Sequence, residues 1–185
     1  MPRQQEPRDD YDGAWKEVIE TYLREFLDFF FPAASAGLAW ARGYRFLDKE
    51  LQKLTPRGAV RKGVVDKLFE AYALDGESRL LAVHLEAQNE PIENLPERVF
   101  QYHCRIYERL HRPVASLVLL TDAREDWRPH KFERETLGCK LLLEFSTAKL
   151  SDFDTPELAG HANPFSFVVR ASPRASQPAQ SAETL

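Results

Sequence analysis

Apolar residues near the start of the chain recur at spacings of three and four. Trp15, Val18, Ile19, Tyr22, Leu23, Phe26, Phe29 and Phe30 draw one stripe, which predicts a helix over 13–31, capped by Asp12 and stopped by Pro32. The opposite face mixes Lys16, Glu17, Glu20, Arg24 and Asp28 instead of being basic, so the stripe suits a protein core better than a membrane surface. The pattern over 43–54 is extended or irregular, and Thr55-Pro56-Arg57-Gly58 is a turn. Strands are predicted over 64–74 and 80–88, joined by the hairpin signal Asp75-Gly76-Glu77-Ser78. A second helix follows over 94–110, with Pro96 in its first turn and Glu97 three residues after Asn94. Its apolar side is Val99, Tyr102, His103, Ile106, Tyr107 and Leu110. The continuous apolar run over 114–121 reads as a buried strand, and 138–145 as a further one.

A helix between the strands ending at Gln88 and starting at Val114 lets those two run parallel, while the hairpin is antiparallel. The expected class is therefore α/β, a mixed β-sheet flanked by helices. Residues 1–10, polar with two prolines, read as a flexible arm and 11–153 as the folded domain. Residues 154–185 lose the pattern and end in a Ser/Ala/Pro/Gln-rich, low-complexity tail.

Charge and composition narrow the classes further. Lys and Arg total 25 against 29 Asp and Glu, so the net charge of −4 excludes a strongly basic nucleic-acid coat but leaves room for a local basic patch. Twelve Phe, six Tyr and three Trp are too many for a disordered chain. Cys104 and Cys139 cannot build a disulfide framework and fit a reducing cytosol. No run approaches the about 20 apolar residues of a membrane span, and the N-terminus lacks the apolar core of a signal peptide. A cytoplasmic protein with no membrane partner is expected.

The strand over 80–88 carries the candidate chemistry. Leu81, Val83, Leu85 and Ala87 share an apolar face; Leu80, Ala82, His84, Glu86 and Gln88 share the other, whose polarity grows toward the strand's end. If Leu74 faces Ser78 across the hairpin, stepping back along the ladder sets Asp66 directly opposite Glu86. Facing carboxylates destabilise a sheet unless one takes up a proton or a cation bridges them. Mg²⁺, held by two carboxylates and phosphate oxygens, fits that position and would activate water and shield charge on a phosphodiester. Gln88, on the same face, can orient water or a phosphate. The plainer alternative is that both acids are solvated strand ends.

These residues resemble a known pattern. Val65-Asp66-Lys67-Leu68 followed by His84-Leu85-Glu86-Ala87-Gln88 is similar to the D…ExQ core of the recombination-promoting nuclease (Rpn) family, in the PD-(D/E)XK nuclease superfamily. The resemblance takes in Asp12-Gly13-Ala14-Trp15-Lys16, the segment Gly43–Glu50, Arg98-Val99-Phe100-Gln101-Tyr102 with Arg105, and Arg112–Ser116, and it spans about 11–153. It implies a restriction-endonuclease-like αβββαβ core and Mg²⁺-dependent DNA cleavage, with Mn²⁺ as a substitute. Asp66 and Glu86 would be metal ligands, the carbonyl of Ala87 a further one, and Gln88 would stand where the superfamily usually has Lys. That exchange removes a charge, because Gln offers only neutral hydrogen bonds. A homodimer is compatible with the sequence.

The remaining features read two ways. Arg57, Arg61, Lys62 and Lys67 form a basic cluster that can meet DNA phosphates or be a solvated loop; Lys67 should point away from Asp66. Arg98 and Arg105 share a helix face and can contact DNA or pair with surface Glu residues. Superfamily members often recruit an acid from the first helix, but Glu17 projects about 200° from Trp15, away from the stripe; Glu50 is an alternative. His84 should be a packed, hydrogen-bonded histidine. Trp127-Arg128-Pro129-His130-Lys131 suits nucleic-acid contact or coverage of a sheet edge.

Overall fold

The aromatic stripe folds as helix, but in pieces. The computed structural model describes residues 8–54, 65–75, 80–160 and 162–171. Helices α1 (Arg8–Thr21) and α2 (Leu23–Phe30) meet at Tyr22, whose backbone (φ −124°, ψ 43°) leaves helical geometry. The Tyr22 N–H still donates to Val18 O and the Phe26 N–H to Tyr22 O, both at 2.9 Å, so the ladder bends there without opening. The bend leaves the Tyr22 ring out of the stripe, 43% exposed, while Leu23, Phe26, Leu27 and Phe30 are buried. Asp12 lies inside α1 and does not cap it. Pro32 ends α2 and, with its fixed φ, opens the short helix α3 (Pro32–Ala36).

The stretch expected to be extended or irregular holds strand β1 (Tyr44–Phe46), in line with the extended reading, and helix α4 (Asp48–Leu54), which has Asp48 and Glu50 in its first turn and Lys53 in its last, as the helix dipole favours. The turn expected at 55–58 lies outside the described residues. Strands β2 (Val65–Tyr72) and β3 (Leu80–Gln88), helix α5 (Leu95–Leu110) and strand β4 (Val114–Leu120) agree with the sequence reading. Asn94 makes no side-chain cap on α5; the helix ends on His111 in the left-handed region (φ 50°).

The C-terminal third differs more. The strand expected at 138–145 is β6 (Cys139–Glu144), and it pairs with β5 (Lys131–Thr136) in a separate two-stranded ribbon. Leu137 (φ 51°) and Gly138 (φ 78°) make its turn; both need positive φ, the geometry whose twist matches a tight hairpin. The short strand β7 (Ser146–Lys149) completes the main sheet, and α6 (Phe165–Ala171) follows. Part of the tail expected from residue 154 is folded: Pro156–Gly160 is a short helical turn and Phe165–Ala171 is α6, with Phe165 and Val169 fully buried.

The main sheet runs β1-β2-β3-β4-β7, antiparallel through β3 and parallel beyond it, as a crossover through α5 requires. The protein is thus mixed α/β, with a five-stranded mixed sheet flanked by helices. One face carries the main core: Phe69, Val83, Leu85, Ala87, Leu117 and Leu119 against Ile19, Leu23, Phe26, Phe30 and Phe165. Phe26 packs against Phe30, Phe31 and Phe165 at centroid separations of 5.0, 6.0 and 5.3 Å, and burying such a ring contributes about 1.5–3 kcal/mol. The other face lies under α5 and α4 in two smaller clusters: Leu68, Ala82, Tyr102 and Ile106 with Leu51, and Val99, Val118 and Leu120 with Leu95 and Phe145. Among the described residues no helix is long and apolar enough to cross a membrane.

Candidate functional site under the second helix

The hairpin register sets Asp66 opposite Glu86 and Leu68 opposite His84, the pairing expected from the sequence. The ladder between β2 and β3 closes one step later, at Val65 and Ala87. Alternation also holds: Val83, Leu85 and Ala87 enter the main core, while His84, Glu86 and Gln88 turn toward α5. The reading of Glu86 as a solvated strand end is overturned. α5 closes over this face, leaving Glu86 1% exposed and His84 and Gln88 0%, with the Asp66 side chain at 17%.

Each acid has its own answering group. His84 Nε2 lies 3.0 Å from Asp66 Oδ1, within hydrogen-bond distance. The His84 ring stacks on Tyr102 of α5, 5.0 Å between centroids. This is the packed, hydrogen-bonded histidine expected. Glu86 Oε1 accepts from Arg98 Nη2, which also lies 3.2 Å from Gln88 Oε1. Gln88 turns its amide nitrogen to the Glu90 carbonyl at 2.8 Å, which fixes Oε1 toward Arg98. Burial pushes the Arg98 guanidinium below its ordinary pKa, against the raising influence of Tyr102 and Asp66. Three polar atoms of this cluster are buried without a partner, His84 Nδ1, Glu86 Oε2 and Arg98 Nε; a fourth among the described residues, Asp48 Oδ1, lies beside Lys67. Such atoms cost stability where nothing binds them.

Arg98 was expected to share a helix face with Arg105, there to contact DNA or to pair with surface Glu residues. Its side chain is instead 23% exposed and spans Glu86 and Gln88, whereas Arg105 Nη1 points to the Leu54 carbonyl at 3.5 Å, linking α5 to α4. Arg57, Arg61 and Lys62 lie outside the described residues. Lys67 faces away from Asp66, as expected, and bonds Glu20 of α1 and Asp48 of α4; burial would lower its pKa, but those two carboxylates outweigh burial and raise it. Glu17 is exposed, as the helical wheel predicts. Glu50 binds Lys53 and Arg109 at the far end of α5, on the rim of a groove of about 750 Å³ that Arg45, Glu70 and Arg112 also line. Trp127 packs with the cluster of Val118, Leu120 and Phe145; Arg128 grips Asp152 at 2.6 and 2.7 Å; Pro129 O accepts from Thr147 of the edge strand β7. That loop covers the sheet edge.

One buried pair escaped the sequence reading. Lys149 Nζ and Asp122 Oδ2 meet at 2.6 Å, 1% and 2% exposed, at the sheet end that also holds Glu86 and Gln88. Nothing in Thr121-Asp122 or Ala148-Lys149 announces it, because the partners meet only once β7 lies beside β4.

The donor set is rich in oxygen, and one buried carboxylate oxygen lacks a partner; both suit a hard divalent cation such as Mg²⁺. Among the described residues no group of three or more His, Cys, Asp or Glu can hold a metal, so a cation here relies on Asp66 and Glu86 with water or phosphate oxygens. Ala87, its side chain in the core, has only its carbonyl to offer. Comparison of the chain with protein-family models, curated proteins and solved structures returns no match.

Proposed function

We propose that the chain is a Mg²⁺-dependent DNA endonuclease of the recombination-promoting type, acting in the cytoplasm on a restriction-endonuclease-like core. The observation that carries this reading is the facing pair Asp66 and Glu86, with Glu86 Oε2 buried and unpartnered at the end of the β2–β3 ladder. Two carboxylates held this way cost stability as plain structure and gain a purpose as cation ligands. Mg²⁺ when bound supplies Lewis acidity toward a phosphodiester and toward water. The chain's own part is positional. His84 holds the Asp66 carboxylate by one oxygen, and Gln88, anchored by Glu90, keeps a polar group beside Glu86. The Tyr102 ring stacks on His84 from α5, and Glu86 is 1% exposed beneath that helix. A plasmid-nicking assay across divalent metals tests the reading. Wild type nicks with Mg²⁺ or Mn²⁺ while Glu86→Ala, still folded by circular dichroism, falls to background; no metal-dependent nicking by wild type rejects it.

A second reading has one observation in its favour. Arg98 already neutralises Glu86, so the pair can be a self-contained buried ion pair in a binding or assembly module that keeps the fold without the chemistry.

A further inference from the structure

The proposed site lacks a cation on β3, since position 88 is Gln, and α5 brings one to the same spot. We infer that Arg98 contacts the anionic phosphate of the substrate and supplies the positive charge that Gln88 cannot. The inference rests on the nuclease reading above and deepens it. Arg98 Nη2 reaches Glu86 Oε1 and Gln88 Oε1 together, so the guanidinium sits between the acid and the amide. Its Nε is buried without a partner among the described residues, so the protein does not match every donor of this guanidinium. The side chain is 23% exposed, so this cation is partly desolvated yet reachable. A guanidinium stays charged at any working pH and offers planar, paired donors that match phosphate oxygens.

In the reaction a water oxygen bonds to phosphorus, the P–O ester bond breaks, water gives up a proton and the leaving oxygen takes one. Charge accumulates on the non-bridging oxygens as this happens, and a donor fixed beforehand at that point lowers the barrier. Arg98 also competes with a metal for Glu86, because both draw on the same carboxylate. Its removal therefore has two opposite effects: cleavage slows and divalent cations bind more tightly.

The test compares wild type, Arg98→Lys, Arg98→Gln and the double variant Arg98→Gln with Gln88→Lys. Single-turnover nicking is measured at saturating Mg²⁺, and Mn²⁺ binding by calorimetry or electron paramagnetic resonance. Arg98→Gln should lose about 100-fold in nicking, the scale of one removed charge-stabilising donor, while Mn²⁺ affinity rises. Arg98→Lys should retain part of the rate, and the double variant should regain at least about 10-fold over Arg98→Gln by moving the charge to β3. Unchanged nicking in Arg98→Gln overturns the inference and leaves the nuclease reading standing. So does a parallel loss of nicking, Mn²⁺ binding and melting temperature that neither Lys variant restores, since that marks Arg98 as structural. If wild type fails to nick with any divalent metal, the nuclease reading falls and takes this inference with it.

Discussion

The two faces of the sheet are buried to the same depth by opposite means. Toward α1, α2 and α6 the strands present Phe69, Val83, Leu85, Leu117 and Leu119, and one buried charge, Lys67, among the described strand residues, answered by Glu20 and Asp48. Toward α5 they bury His84, Glu86, Gln88 and Ser116 among Leu68, Ala82, Val118 and Leu120, with the Asp122–Lys149 pair at the same end. An apolar face gains free energy roughly with area removed from water, while a polar one must match every donor and acceptor to break even. The α5 face holds Glu70 with Arg45 and Arg112 at one end, and at the other the Glu86, Gln88 and Arg98 cluster, where His84 Nδ1, Glu86 Oε2 and Arg98 Nε are left unmatched. That local departure from good packing is what singles out the site.

The comparison predicts different failures on the two faces. The largest effect belongs to the apolar face. Phe165→Ala should cost about 3–5 kcal/mol in urea denaturation, because its ring fills the space between Phe26, Phe30 and Trp15 and leaves a cavity. A change within the noise would mean that residues beyond 154 are a tail after all.

On the polar face, the loss comes from unbalanced charge instead of lost volume. Asp122→Asn keeps the shape but leaves Lys149 charged and buried, and should cost about 3 kcal/mol by the same measurement. Replacing both at once, Asp122→Leu with Lys149→Met, should be near neutral. If the double variant is as unstable as the single one, the pair is more than a compensated burial.

The smallest effect separates the faces by pH. Burial, helped by the nearby His84, holds His103 below its ordinary pKa. A depressed histidine pKa means the unfolded chain binds the proton more readily, so this contribution is present above the unfolded value near pH 6.5 and is lost as pH falls from there through the folded value. The urea midpoint should fall between pH 8 and pH 5.5, and His103→Gln should flatten part of that slope. An equal slope in the variant would assign the pH dependence to other groups.

The site was partly legible in advance because strands have a period of two and a tight hairpin fixes register. Those two facts were enough to set Asp66 opposite Glu86 and to separate Lys67 and Ala87 onto the other face. What was not legible depends on tertiary placement. Arg98 reads as one more surface arginine until α5 lies over β3, and Lys149 has no partner until β7 joins β4. α4, β7 and α6 are each too short for a periodic signal; α6 is anchored by Phe165 and Val169, one helical turn apart in otherwise mixed surroundings. Strand β5 hid for another reason: apart from Phe132 its residues are exposed and mostly charged, so no alternating apolar face announces it.

Whether Asp66 and Glu86 form a cation site is tested most directly by thermal unfolding at low salt during titration with Mg²⁺ and Mn²⁺. A cation that binds only the native state raises the melting temperature by mass action. The account predicts a saturable rise in wild type that Asp66→Ala and Glu86→Ala each abolish. A wild-type melting temperature that does not move with either metal, together with a more stable Asp66→Asn, would contradict it.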